Sequence, residues 1–480
     1  MLRSEFQGVC SLFLALSKGN KEILSMGGEV TGFMKISDKN GVFDFTANMV
    51  EIKKYNTSAR NLIERAISGV FEETEQPESK VLRTMKSLVI HEYVHFLDLT
   101  TTLWGMEYIA RKNLLAKAIV DDCEIHARKD VSLINVSELH AHEQLVQTNG
   151  VGLLKTTLMN HAVVVDERFG PIIFIYYNVE GEVIQSVPLS MMAVLEANAY
   201  ACEILSRIYD AERLVDPVAR AIALQEAEDD FELILDDPDQ SVYTVLISLA
   251  KLHFPLLDTK QLMLLMNALV KFTLDLNSFE MSEMANYVQR SIESKYAGEV
   301  ISDDMRRGAS RAVIAFKTIL IMHGWRNTIG SHARSQLDQL LKQNPQLAIE
   351  HCWRSIGMTT LSKELTDYEF DVHYRNMYSL CLFEEEFKLY AESKFNRAVL
   401  SFGNVASVGL DKFKLMDFFL EDGGVACPPN RIDIDVEEYL LSYASISVDI
   451  DKLCHGDGAT KFYRLPGDPI VYSSPFDHID

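Results

Sequence analysis

Lys86-Ser-Leu-Val-Ile-His91-Glu92-Tyr93-Val94-His95-Phe-Leu-Asp98 is the stretch on which the reading of this chain turns. Leu88, Val89, Ile90, Val94, Phe96 and Leu97 surround its polar residues on every side, which predicts a buried helix. His91 and His95 are four residues apart and so share one face of that helix. Two neutral imidazoles on one face can hold one metal ion, and Glu92 can take a proton from a water coordinated there. Two histidines and a glutamate inside a buried helix are costly unless something satisfies them. A metal does so. The alternatives are a chance match or a hydrogen-bonded core cluster.

A catalytic zinc site takes three protein ligands and a water. The extended pattern with a third histidine is excluded, because Asp98 and Thr101 stand three and six residues after His95. Glu107, Glu124, His126, His140 and His142 follow within about fifty residues and are chemically able. His126 reads as part of an exposed polar helix, and His140 and His142 point apart if helical. Glu196 is the stronger candidate. It lies in a helix of small and apolar residues, Met191, Met192, Ala193, Leu195, Ala197, Ala199 and Ala201. A carboxylate on such a face needs a partner, and an arginine or a backbone group is the alternative to a metal.

Composition sets outer bounds. At 480 residues the chain is too long for one ordinary core, so two or three domains are expected. A hydrophobic fraction of 48% and a charged fraction of 24% are those of a globular protein. The net charge of −23 argues against a general nucleic-acid binder or an anionic-membrane binder. The seven cysteines are scattered, with no C-x-x-C pair, which suits a reduced, cytoplasmic protein and no finger-type zinc site. The apolar residues near the N-terminus read as an amphipathic helix over 1–20, not a secretory signal. The apolar run Ala312–Trp325 carries Lys317 and His323 and is too short to span a bilayer.

Around the motif, residues 28–55 read as two strands turning at Asp38–Gly41. A helix is expected over 58–71, and the motif helix from Pro77 to about Thr100, with Thr100–Thr102 ending it. Residues 104–165 read as mostly helical. Gly170–Tyr177 and Gly181–Val187 form a hairpin, and the Glu196 helix follows with Pro188 in its first turn. From 211 to about 400 the pattern is helical, broken near Pro255. The last sixty residues read as irregular, with a strand near Ile432–Val436 and a turn at His455–Gly458. The fold class is α+β, mainly α, with small antiparallel β elements. The acidic stretch around Pro238 suggests a boundary, giving units 1–235 and 236–480.

A helical His-Glu-x-x-His followed downstream by a helix with a liganding glutamate resembles the gluzincin branch of zinc metallopeptidases. More narrowly, His91–Thr102 and Leu195-Glu196-Ala-Asn-Ala are similar to a loose group of bacterial and phage-associated metallopeptidase-like proteins. The resemblance covers about residues 25–210. It implies a zincin-like domain, one catalytic Zn2+ on His91, His95 and Glu196, and hydrolysis of a peptide bond with Glu92 as general base. It departs from thermolysin-like members, which place an aspartate four residues after the glutamate ligand. Tyr200 stands there.

The mechanism expected is attack of a zinc-coordinated water, assisted by Glu92. Tyr200, on the Glu196 face, is a candidate oxyanion donor; Tyr176, Tyr177 and His161 are others. Asp98 either orients a ligand histidine or is solvated. A hairpin, residues 42–52 first, is expected to hold an extended peptide as an added strand. A protein or peptide would be the substrate. The helical C-terminal half would select it or bind a regulatory protein. Two other readings stand beside this one: a non-catalytic interaction protein with a structural or vestigial metal site, and a zinc hydrolase of a non-peptide amide.

Overall fold

A computed structural model describes residues 35–37, 40–45, 47–68, 77–120, 145–148, 150–166, 170–359, 361–436, 438–440 and 442–443. The expected N-terminal helix, the ligand alternatives Glu124, His126, His140 and His142, and the His455–Gly458 turn lie outside these residues. The described chain is mainly helical, with one five-stranded and one four-stranded sheet.

The first sheet begins with β1 (Lys35–Ser37), β2 (Val42–Asp44) and β3 (Met49–Ile52), all antiparallel. Of the turn expected at Asp38–Gly41, residues 38 and 39 lie outside the described residues. The expected second strand instead divides in two: Asn48 takes a left-handed φ of 54°, and Asp44 Oδ1 accepts from the Ala47 amide at 3.0 Å. Both β2 and β3 are therefore inner strands. The 42–52 stretch offers no free edge, and β1 is one of the two outer strands among the described residues.

Two helices form the centre. Helix α1 (Arg60–Ile67) packs on α2 (Pro77–Thr101), the motif helix. From Leu88 to Thr102 every residue of the motif region is buried. Each large apolar side chain so buried contributes about 1.5–3 kcal/mol. Lys86 is buried with them because Asp210 accepts from its ammonium at 2.7 and 2.8 Å. The three threonines turn their hydroxyls back onto the carbonyls of Phe96, Leu97 and Asp98, and Arg397 Nη1 donates to Thr101 O at 2.6 Å. Helix α3 (Leu103–Val120) follows almost at once.

Residues 158–166 form a strand where a helix was expected. The run Ala162-Val-Val-Val165 is β-branched, and β5 (Leu158–Asp166) pairs along its whole length with β6 (Gly170–Val179). With β4 (Gln147–Thr148) and β7 (Glu182–Pro188) they make the second sheet, ordered β4-β7-β6-β5. Pro188 ends β7 opposite Phe174 and does not start the next helix. That helix, α4 (Met191–Glu212), has Ser190 at its N-cap position. Its Ala193, Ala197, Ala199 and Ala201 are wholly buried. Small side chains bring α2 close on one flank, and α7 (Thr259–Leu274) packs on α4 as well. Between them come α5 (Pro217–Asp236) and α6 (Ser241–His253), the latter ending before Pro255 as expected.

Nine more helices follow, α8 (Ser278–Ser291) to α16 (Val405–Val408) among the described residues, including α10 (Arg311–Thr328), α13 (Lys363–Leu380) and α15 (Ser393–Leu400). The expected boundary at 235/236 falls at the end of α5, and one hydrophobic core runs across it. Beyond the helices, β8 (Phe418–Leu420) joins the first sheet parallel to β3, pairing Glu51 with Phe419, and β9 (Val425–Ala426) closes it. The expected strand at Ile432–Val436 does not form; a single bridge, Leu415 to Arg431, lies just before it. Tyr93, inside the His-Glu-x-x-His motif, donates to Met416 O at 2.5 Å. The C-terminal segment thus grips the motif helix directly.

Candidate metal centre

His91 and His95 project from one face of α2 toward α4, their ring centroids 5.3 Å apart. Glu196 meets them from the first turns of α4. Its Oε2 lies 3.2 Å from His91 Nε2 and its Oε1 3.6 Å from His95 Nε2. One donor atom from each residue lies within 4.8 Å of the others, so the three form a possible metal-binding triad. Donors about 2 Å from one tetrahedral ion stand roughly 3.3 Å from each other. The His91 distance matches that spacing, and the His95 distance, to the other carboxylate oxygen, is slightly longer. All three side chains are at most 3% exposed. The aromatic rings of Phe43 and Phe45 wall His95 from the sheet side, with centroids at 6.1 and 6.0 Å.

The electrostatics follow from this burial. Desolvation alone would raise the Glu196 carboxyl, but the two imidazoles outweigh it and hold the pKa down to about 2. Desolvation opposes a charged His91. Glu196, Glu203 and Glu92 outweigh it and raise its pKa well above the usual histidine value. The site is therefore built to hold positive charge between carboxylates.

Glu203 was not foreseen. Its Oε2 lies 3.0 Å from His91 Nδ1. It stands seven residues after Glu196, on the same face of α4, so helix periodicity alone could have singled it out. Arg207 Nη2 lies 3.5 Å from Glu203 Oε1, and Arg207 also holds Asp230 and the Ser87 hydroxyl. A carboxylate behind a ligating imidazole fixes its tautomer, keeping the proton on Nδ1 and the Nε2 lone pair toward the ion.

Glu92 is 2% exposed, beside the triad. The chain at Gly41 passes so close that a Cβ there would overlap Glu92 Oε1. Tyr200 sets its ring edge-on to His91, centroids 4.9 Å apart, and its hydroxyl donates to Gln240 Oε1 at 3.0 Å. Tyr176, Tyr177 and His161 belong to the second sheet, where Tyr177 is buried and His161 packs on Phe316. Among the described residues Asp98 contacts no histidine; Asn198 Nδ2 donates to its two oxygens at 2.8 and 3.0 Å.

Glu107, another sequence candidate, falls in a second group with Glu369 and His373. There Glu107 pairs with Arg311 at 3.4 Å, and Glu369 accepts from the Ser278 amide and hydroxyl. Those carboxylates already have cationic or N–H partners. Among the described cysteines, Cys202, Cys352, Cys381 and Cys427 form no disulfide. Among the described helices, no single one is long and apolar enough to cross a membrane.

No protein-family model, curated protein or solved structure matches the chain. The residues themselves carry the reading.

Proposed function

We propose that this chain is a cytoplasmic zinc metallopeptidase of gluzincin type that hydrolyses a peptide bond in a protein substrate. The observation that carries the reading is the meeting of His91, His95 and Glu196, with Glu203 behind His91. When bound there, zinc would supply Lewis acidity to a carbonyl and lower the pKa of a coordinated water. Glu92 would accept the proton of the attacking water and return it to the leaving amine. Glu203 would hold the His91 ring in place throughout. The Tyr200 hydroxyl would turn from Gln240 to donate to the developing oxyanion. An extended substrate would add to β1, an outer strand, among the described residues, of the sheet beside the motif helix.

Zinc analysis tests the ligand set. Wild type should retain one zinc per chain after dialysis, and His95→Ala and Glu196→Ala should retain almost none. Full zinc content in either variant would remove that residue from the site.

One observation favours a second reading. Donors only 0–3% exposed also suit a structural metal in a protein that binds a partner through its helical half. In that case Glu92→Gln would leave every property of the protein intact.

A further inference from the structure

A cavity of about 1190 Å³ opens on the other flank of α2 and α4, away from the triad. Val94, Leu97, Asp98 and Thr101 of α2 line it, so it follows the helix stripe beside the one that carries His91 and His95. Within its lining runs a chain of polar groups, half-buried at Asn267 and buried at Asn198 and Asp98. Asn267 Nδ2 donates to Asn198 Oδ1 at 2.7 Å, and Asn198 Nδ2 donates to both Asp98 oxygens. Each amide hydrogen on this route points toward Asp98. The carboxylate is left as an acceptor, each of its oxygens having a further lone pair.

Seven acidic and five basic side chains line the cavity. The basic ones are mostly engaged at the rim. Arg397 holds Asp275 and Asp367, Lys394 holds Asp371 at 2.7 Å, and Lys271 donates to Leu400 O. Of the two buried acids in the lining, Glu280 is taken up by the backbone amides of Asn277 and Ser362, and Asp98 is the other. It is 7% exposed, its hydrogen bonds come from one neutral amide, and no cation pairs with it among the described residues. A buried carboxylate without a counter-charge, in the lining of an open cavity, is the complement of a ligand cation. Leu97, Ala268, Phe272 and Val405 give the same cavity apolar wall.

We propose that this cavity binds an organic cation, a primary ammonium on an apolar stem, whose head pairs with Asp98 and whose stem lies along Leu97, Ala268 and Phe272. The volume exceeds the roughly 300–1,000 Å³ of ordinary small-molecule sites, so it takes an elongated molecule. The site is independent of the metal reading and stands if no metal binds.

Calorimetry at pH 9, where the Asp98 carboxyl is ionised and both amines are still mostly ammonium, with hexylamine and 2-phenylethylamine against hexanol and 2-phenylethanol, tests it on the full chain. Wild type should bind at least one amine saturably and neither alcohol. Asp98→Asn, near in shape but uncharged, should weaken that binding at least tenfold while its thermal transition shows it folded. Ala268→Phe keeps Asp98 and fills the wall, and should also abolish binding. Failure of both amines to bind wild type would overturn the proposal. So would equal binding of the matched alcohol, or undiminished amine binding by folded Asp98→Asn. If Asp98→Asn does not fold, Ala268→Phe decides: lost binding supports the site and unchanged affinity overturns it.

Discussion

Glu203 Oε2 and His91 Nδ1 lie 3.0 Å apart, joining the second half of α4 to the first histidine of the motif. On the proposed reading Glu203 is the carboxylate that orients His91, while Tyr200 meets that ring only edge-on. Removing such a partner weakens metal affinity by about 10–100-fold. Glu203→Ala should do so in a chelator competition assay. Glu203→Gln, whose amide oxygen still accepts from Nδ1–H, should recover part of the loss. Unchanged affinity in Glu203→Ala would show that the contact does not orient the ligand.

The close pass of Gly41 over Glu92 gives a second expectation. Gly41→Ala must displace the Glu92 carboxyl, because the added Cβ overlaps it. Displacing a catalytic group by about 1 Å costs roughly 100-fold in rate. Peptidase rate should fall to that extent with zinc content unchanged. A variant with the wild-type rate would mean that Glu92 works from another position.

Lys86 and Asp210 form a buried ion pair, each side chain less than a tenth exposed. Breaking such a pair from one side costs about 3–5 kcal/mol, whereas replacing both with apolar residues is often neutral. Lys86→Met should lower the denaturation free energy by about that amount. The double variant Lys86→Met with Asp210→Leu should recover most of it. Arg213, 3.5 Å from Asp210 but largely exposed, offers only a partial substitute.

Asp98 sets a pH dependence. Burial, with Asp275 adding to it against the Asn198 hydrogen bond, raises its carboxyl to about 8 from the ordinary 3.8. Between these values the folded protein holds a proton that the unfolded chain has lost, so stability falls as pH rises through the window. Asp98→Asn removes this dependence. Its melting temperature should gain on wild type progressively from pH 4 to pH 8 in matched thermal scans. A constant difference across that range would show that the carboxyl titrates normally.

Much of the site was legible because helix periodicity is local. His91, His95 and the small-residue helix around Glu196 follow from spacing and burial pattern, and so would Glu203 have done. The motif helix was read to within a residue of its observed end at Thr101. What sequence pattern missed depends on distant pairing. Residues 158–166 take strand form through β6, and Pro188 ends a strand because Phe174 stands opposite it. The parallel addition of Phe418–Leu420 to β3 links residues more than three hundred and sixty apart, and no short-range pattern encodes it. For the same reason the partnership of Asp98 with Asn198 was not foreseen: it depends on how two helices cross.

The most direct test of the central claim is hydrolysis of a proteome-derived peptide library by zinc-loaded wild type and zinc-loaded Glu92→Gln, read by mass spectrometry of new termini. Wild type should generate a reproducible set of cleavages, and Glu92→Gln, holding the same one zinc per chain, should generate none. Identical cleavage by both proteins, or none by fully zinc-loaded wild type, would contradict the account.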